Sequence, residues 1–223
     1  MESMARGGTR WKRFALVMVP SVAATAAIGI GLAQGALAAS FAVSGQQFKV
    51  TADYLDGAGF AQYGGVDVGY KEMDGKEKVM HPVAISTFRT ARIENMCQSV
   101  VTDVPLLGKI TLRLKAGEDR DRPVRAENLY LDISQLDADA KFKNIDIGVA
   151  VKDTDNAEGE DGPAGKGPAV KPGDRVQENG FAQQAERAQL WDVKQTAWAT
   201  TAGSFTLNGL SMRLHRGTDK ECF

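Results

Sequence analysis

The chain has 223 residues but only two cysteines and two histidines. There is no C-x-x-C pair, and His81 and His215 lie far apart in sequence, so neither a zinc ribbon nor a histidine-rich metal centre is expected. Charge of one sign is also lacking. The chain has 27 Lys and Arg against 28 Asp and Glu, and it shows no basic stripe of the kind that nucleic acid requires. Gly-x-Ser-x-Gly, which presents a nucleophilic serine on a strand-to-helix turn, does not occur. No phosphate-cradling glycine loop is found either. After residue 40, apolar residues rarely recur at helical spacing.

What is present is unevenly distributed. Arg6, Arg10, Lys12 and Arg13 form a basic start, and Phe14 to Leu32 then runs 19 residues without a charge. Ala36-Leu37-Ala38 follows, small residues placed as signal peptidase needs them. Residues 1–39 therefore read as a signal peptide cut after Ala38 or Ala39, or as a retained signal anchor. Nineteen residues at ~1.5 Å each would make a helix of roughly 28 Å, near the thickness of the hydrocarbon core. Pro20, Gly29 and Gly31 favour cleavage. Residues 40–223 are then an exported domain, secreted or held on the outer face of the cytoplasmic membrane. The first 38 residues carry four basic residues and one acidic residue, which leaves the remainder with a net charge of −4.

Cys97 and Cys222 form an even pair in a chain read as exported, so a disulfide is expected. It would close a long loop and contribute roughly 4–5 kcal/mol in the chain-entropy picture. A reactive thiol is the alternative.

The body reads as strands. Ile110–Lys115, Leu129–Ile133, Ile145–Val149 and Leu210–Leu214 alternate aliphatic and polar residues, and Phe41–Val43 and Phe48–Val50 begin the series. Such alternation gives one buried face and one wet face. Turn residues at Asp56-Gly57, Gly64-Gly65, Asp74-Gly75, Gly117–Pro123 and Asn208-Gly209 divide the runs. Gln183 to Lys194 fits a short helix or a strand. Residues 153–180 are acidic and rich in Gly and Pro, which predicts a flexible insert. Their acidic residues miss the spacing of a calcium loop.

A degenerate likeness recurs along the chain. Asn95, Asn128, Asn144 and Asn208 each enter an alternating strand, and Gly-Phe-Ala-Gln occurs at 59–62 and at 180–183. The spacings are uneven. The expected fold is all-β, a layered antiparallel sandwich or a solenoid-like stack of sheets, preceded by the N-terminal hydrophobic signal or anchor helix.

Catalytic candidates are few. Ser44, Ser86, Ser99, Ser134, Ser204 and Ser211 lack the glycine frame, and only His81 or His215 could act as a general base. Asp132, Asp137, Asp139 and Asp146 could supply a carboxylate pair, but solvated strand faces explain them as well. No catalytic residue, metal or cofactor is assigned. Phe60, Tyr63, Phe142, Trp191, Trp198 and Phe205 are the candidate lining of an apolar groove for a lipid or a hydrophobic partner.

Six segments carry a resemblance: 59–65, 91–99, 105–114, 127–132, 142–148 and 195–203. Together they resemble a family of actinobacterial exported or membrane-associated proteins of unknown function, some of whose members carry the label cholesterol esterase. The resemblance implies a cell-envelope setting and a small multi-span membrane protein as a neighbour. It brings no catalytic residue to any position here. The function expected is that of a non-enzymatic envelope protein binding a membrane lipid or a membrane-protein partner. A structural or assembly protein of the cell surface is the alternative, and a lipid-ester hydrolase the second alternative.

Overall fold

The computed structural model describes residues 45–70, 77–154, 170–171 and 173–223. The predicted leader, its cleavage site at Ala38 and Ala39, the strand at 41–43 and the Asp74-Gly75 turn lie outside these residues. So does most of the predicted insert. Among the described residues no helix is long and apolar enough to cross a membrane.

Eight strands follow one another: β1 (Phe48–Tyr70), β2 (Lys78–Glu94), β3 (Met96–Val104), β4 (Gly108–Ala116), β5 (Val124–Ala150), β6 (Phe181–Thr201), β7 (Ser204–Thr206) and β8 (Ser211–Arg216). The all-β expectation holds, but the layered sandwich or solenoid does not. β1 pairs with β2 and β6, and β5 pairs with β2 and β6, all antiparallel, so four strands close into a barrel. From the barrel, β3 leaves the edge of β1, β4 pairs with β3, and β8 pairs with β4, forming an open extension. β7 pairs with the start of β5.

The sandwich expectation fails because the strands are long. Asp56-Gly57 and Gly64-Gly65 do not turn the chain; both lie inside β1, which is 23 residues long. Their glycines serve close approach instead. A Cβ on Gly57 would sit 2.1 Å from the Phe88 ring, and one on Gly65 would sit 2.4 Å from Cδ1 of Ile85. Large side chains of β2 thus fold over a bare stretch of β1, which lets the wall curve tightly. The predicted strands at 129–133 and 145–149 are parts of one 27-residue strand, β5. The segment 183–194, open between helix and strand, lies within β6. Gly117–Pro123 and Asn208-Gly209 do connect strands.

The recurring asparagines have a physical meaning. Asn95, Asn128 and Asn144 all adopt left-handed backbone, with φ of 49°, 47° and 50°. Gly59 in β1 (φ 64°) and Asp192 in β6 (φ 52°) do the same. Such a residue shifts a strand's in-out alternation by one. Leu55 and Gly57 face inward before Gly59, whereas Phe60 and Gln62 do so after it. In β5 the inward set changes from Val124 and Ala126 to Leu129, Leu131 and Ile133 across Asn128. Around Asp192 it changes from Ala188 and Leu190 to Val193 and Ala197. Long strands can therefore coil around a narrow barrel while their apolar residues stay inside. Asparagine tolerates this conformation better than other residues bearing a side chain. At Asn95 the same device ends β2 and redirects the chain into β3, with the Asn95 amide donating to the Gly117 carbonyl at 2.7 Å. Asn208 differs, being part of a turn completed by Gly209 (φ 68°).

Two apolar clusters result. The larger fills the barrel with Leu55, Phe60, Phe88, Ile93, Leu129, Leu131, Ile133, Leu190 and Val193. The smaller lies on the outer face of the wall, where Val151, Val170 and Val176 cover Tyr63, Val83, Ile85 and Trp198. The described end of the predicted insert, 170–180, is thus laid against the barrel, and Val66 and Arg175 form a bridge there.

Candidate functional site

The barrel interior holds a cavity of about 130 Å³. Leu55 and Phe60 from β1, Phe88 from β2, Leu131, Leu136 and Phe142 from β5, and Leu190 from β6 make its apolar wall. Phe60 packs on Phe88 and Phe142, with ring centroids 5.4 and 5.2 Å apart. Ala138 and Ala140 also line it and are exposed, so it opens to solvent on the β5 side. β5 reads Asp137-Ala138-Asp139-Ala140-Lys141-Phe142 here; charged residues point out, and small ones leave the mouth unfilled. One polar patch faces the cavity. Gln62 donates to Ser86 Oγ at 2.8 Å and accepts from Gln183 at 2.6 Å. Gln62 and Gln183 end the two Gly-Phe-Ala-Gln segments, which meet as neighbours across β1 and β6.

The six aromatic candidates do not form one groove. Phe60 and Phe142 share the barrel cavity. Tyr63 and Trp198 belong to the outer cluster. Trp191 is partly exposed against Tyr54 across the β1–β6 ladder, and Phe205 lies on β7, also partly exposed. Much of the cavity wall is aliphatic, which a search for aromatics does not find. Leu131 and Leu190 are visible only as ordinary alternation.

Beneath the 170–180 segment lies a polar cluster that sequence reading did not assemble. Asp132 is 2% exposed. Lys171 Nζ stands 3.7 Å from Asp132 Oδ2 and 3.8 Å from Asp174 Oδ1. The Tyr63 hydroxyl accepts from the Lys171 amide at 3.3 Å and donates to Asp174 Oδ2 at 3.5 Å. Asp67 comes from the far end of β1 and faces Asp132; its Oδ2 and Asp132 Oδ1 are buried without a hydrogen-bond partner among the described residues. Burial and then the charge of Asp132 push Asp67 up to about 6. Burial, with Asp132 again adding, pushes Asp174 up to about 6 as well. Asp132 is raised by burial against the opposing pull of Lys171, and burial raises the Tyr63 hydroxyl. Lys171 thus pairs with two carboxylates, and Asp67 stands close enough to Asp132 to feel its charge, so the segment is latched to the wall across a cluster with more acids than bases. No signal in the sequence marks Asp67, Asp132, Lys171 and Asp174 as neighbours.

His81 lies across the β1–β2 ladder from Asp67 and stacks on Trp198 at 3.7 Å between centroids. His215 lies opposite Thr111. Neither Nε2 has a hydrogen-bond partner among the described residues. Three of the candidate serines are engaged elsewhere: Ser86 with Gln62, Ser99 with the Cys222 amide, and Ser134 with Gln47 and the Thr196 carbonyl. Among the described residues no group of three or more His, Cys, Asp or Glu is placed to hold a metal ion.

Cys97 and Cys222 form a disulfide, with Cα atoms 5.9 Å apart. It pins the C-terminal tail across one face of the extension. Thr111 Oγ1 donates to the Gly217 carbonyl at 2.6 Å. Lys49 Nζ pairs with Glu221 at 2.8 Å and donates to the Phe223 carbonyl at 2.8 Å.

Comparison with curated proteins and with solved structures finds no match. A family of unknown function, DUF6230, matches residues 44–223, which takes in every barrel strand, the acid cluster and both cysteines, and the chain belongs to it.

Proposed function

We propose that this is an exported cell-envelope protein without catalytic activity that binds the apolar part of a membrane lipid in its barrel. The observation that carries this reading is the cavity of about 130 Å³ between Phe60, Phe142, Leu136 and Leu190, open to solvent at Ala138 and Ala140. Apolar cavities of ~150 Å³ take up benzene-sized guests, so this one suits the last few carbons of a chain whose polar end stays outside. The basic, apolar segment at 1–39 supports export, and the paired cysteines agree with an oxidising compartment.

Native mass spectrometry of the protein from its own membrane fraction tests the reading. A co-purifying lipid is expected in the natural protein. In Ala138→Leu/Ala140→Leu, whose added side chains close the mouth, it is lost. Equal occupancy in both proteins refutes the cavity as the site.

A second reading has one observation in its favour. β8 ends the sheet order and has no strand on its outer edge among the described residues. A free edge suits strand addition between copies in a surface assembly. Sedimentation velocity decides this, since edge pairing gives a mass that grows with concentration. The lipid-ester hydrolase reading requires a serine brought to His81 or His215.

A further inference from the structure

The tip of the β3–β4 hairpin is anomalous in two independent ways. Leu106 is fully exposed, and Leu107 beside it is 56% exposed. Leu106 also adopts left-handed backbone, with φ of 70°. A bulky apolar residue is poorly suited to that conformation, and glycine or asparagine would relieve it. Neither burial nor turn geometry accounts for a leucine here. The apolar surface continues up one face of the extension through Leu214 and Met212, at 71% and 59% exposure. The other face carries the disulfide-pinned tail and, beside it, Arg113, Lys115 and Arg213.

The charges around this tip are one-sided. Lys109, Arg113, Lys115, Arg213, Arg216 and Lys220 outnumber Asp103, Glu118, Asp219 and Glu221 on the same stretch, although the domain as a whole is acidic. Lys109, Arg113, Arg213 and Arg216 have no ion-pair partner among the described residues. Arg113 and Arg213 stand directly opposite each other in the β4–β8 ladder. Like charges so placed repel. They border a surface hollow of about 180 Å³ shared with Lys115, Glu118 and Ser211. An oxyanion in that hollow would relieve the repulsion.

We propose that this hairpin is a membrane-docking wedge, with Leu106 and Leu107 entering an anionic lipid bilayer, Lys109 and Arg216 meeting its phosphates, and the Arg113–Arg213 pair drawn by its negative surface charge. The spacing suits this. Amphipathic elements sink ~5–10 Å into the headgroup boundary, and Arg113 lies four residues above Lys109, roughly 13 Å along the strand. The leucines then reach the acyl boundary, Lys109 and Arg216 lie at headgroup depth, and the arginine pair lies just above. The wedge shares no residue with the barrel cavity, so either proposal can fail alone.

The test uses the full chain carrying Leu107→Trp, with the same chain lacking that change as background for the native tryptophans. Because the reporter sits at the tip, it reads tip insertion whether or not residues 1–39 anchor the protein. With vesicles of phosphatidylglycerol and phosphatidylcholine, the added tryptophan should shift to the blue and be quenched by brominated acyl chains. With phosphatidylcholine alone, or after Arg113→Gln/Arg213→Gln, the shift should be largely lost. Emission unchanged by anionic vesicles overturns the proposal. So does equal quenching in neutral vesicles. A blue shift that appears without lipid as protein concentration rises also overturns it, and assigns the tip to a second copy of the chain. Circular dichroism and the intact disulfide verify folding of each variant.

Discussion

The four barrel strands and the three strands of the extension share the same alternating chemistry but place it in opposite ways. In the barrel every strand has a neighbour on both sides for part of its length, and the apolar set faces a closed interior. In the extension the sheet has an end, one face is covered by a polar tail, and Leu106, Met212 and Leu214 remain in water. Closure removes edges and concentrates buried area, so packing is the barrel's main stabilising contribution. An open three-stranded flap has too little packing for that. Its base joins the barrel core through Met96, Leu114 and Ala116, and the rest is held by a covalent link and by Lys49, which reaches from β1 to Glu221 and Phe223. The region stabilised by packing carries the cavity, and the region stabilised by a tether carries the exposed leucines.

The contrast can be broken from either side. Phe88→Ala removes a ring that is 1% exposed and packs on Phe60. It should cost about 3–5 kcal/mol, read as a lower urea midpoint for the whole domain. Cys97→Ser/Cys222→Ser should cost about 2–4 kcal/mol. Its hydrogen-exchange protection should fall in β4 and β8 well before β1 and β6. Uniform loss of protection would show that the extension is not separately held.

Asn128→Ala tests the phase-shifting role of left-handed residues. It should cost ~1–2 kcal/mol, while Asn128→Gly should cost little. If both cost the same, the asparagine side chain rather than its backbone matters.

A smaller effect concerns the acid latch. Asp67 and Asp174 are both raised from 3.8 to about 6. A carboxyl raised by folding binds more protons in the folded state, so stability falls as pH rises from about 4 to 6 and the cost is fully present above that. Protection of 170–180 should therefore be greater at pH 5 than at pH 7. The surrounding groups are Tyr63, His81, Tyr130, Asp132, Lys171 and Arg175, and the test is that Asp67→Asn/Asp174→Asn flattens the difference. The smallest change is expected at the tip: Leu106→Gly should leave stability unchanged or raise it by up to about 1 kcal/mol, because it relieves a left-handed backbone and loses no packing. A clear loss of stability would mean that Leu106 contributes to the fold after all.

Much of the strand content was legible. Ile110–Lys115 and the β8 alternation are strands because one face of each meets apolar neighbours, and period-2 patterning records that directly. The Cys97–Cys222 bridge was legible because only one pairing exists. Gly57 and Gly65 misled for a physical reason: a glycine kept for close approach to Phe88 or Ile85 looks the same in sequence as one kept for a turn. The cavity was half legible. Phe60 and Phe142 stood out as aromatics, but Leu136 and Leu190 come within reach only once β5 has bent around the barrel.

By itself the sequence determined the all-β class, the disulfide and the recurrence of asparagine at strand entries. Each of these is written in local residue order or in the count of one residue type. Only the tertiary structure decided that the strands close, that Asp67, Asp132, Lys171 and Asp174 share one buried site, and that Leu106 stands in water while Leu131 does not. Closure depends on which strand edges meet, and burial depends on what lies opposite. Both are set by contacts between residues distant in sequence, where alternating patterns look alike on a covered face and on a bare one.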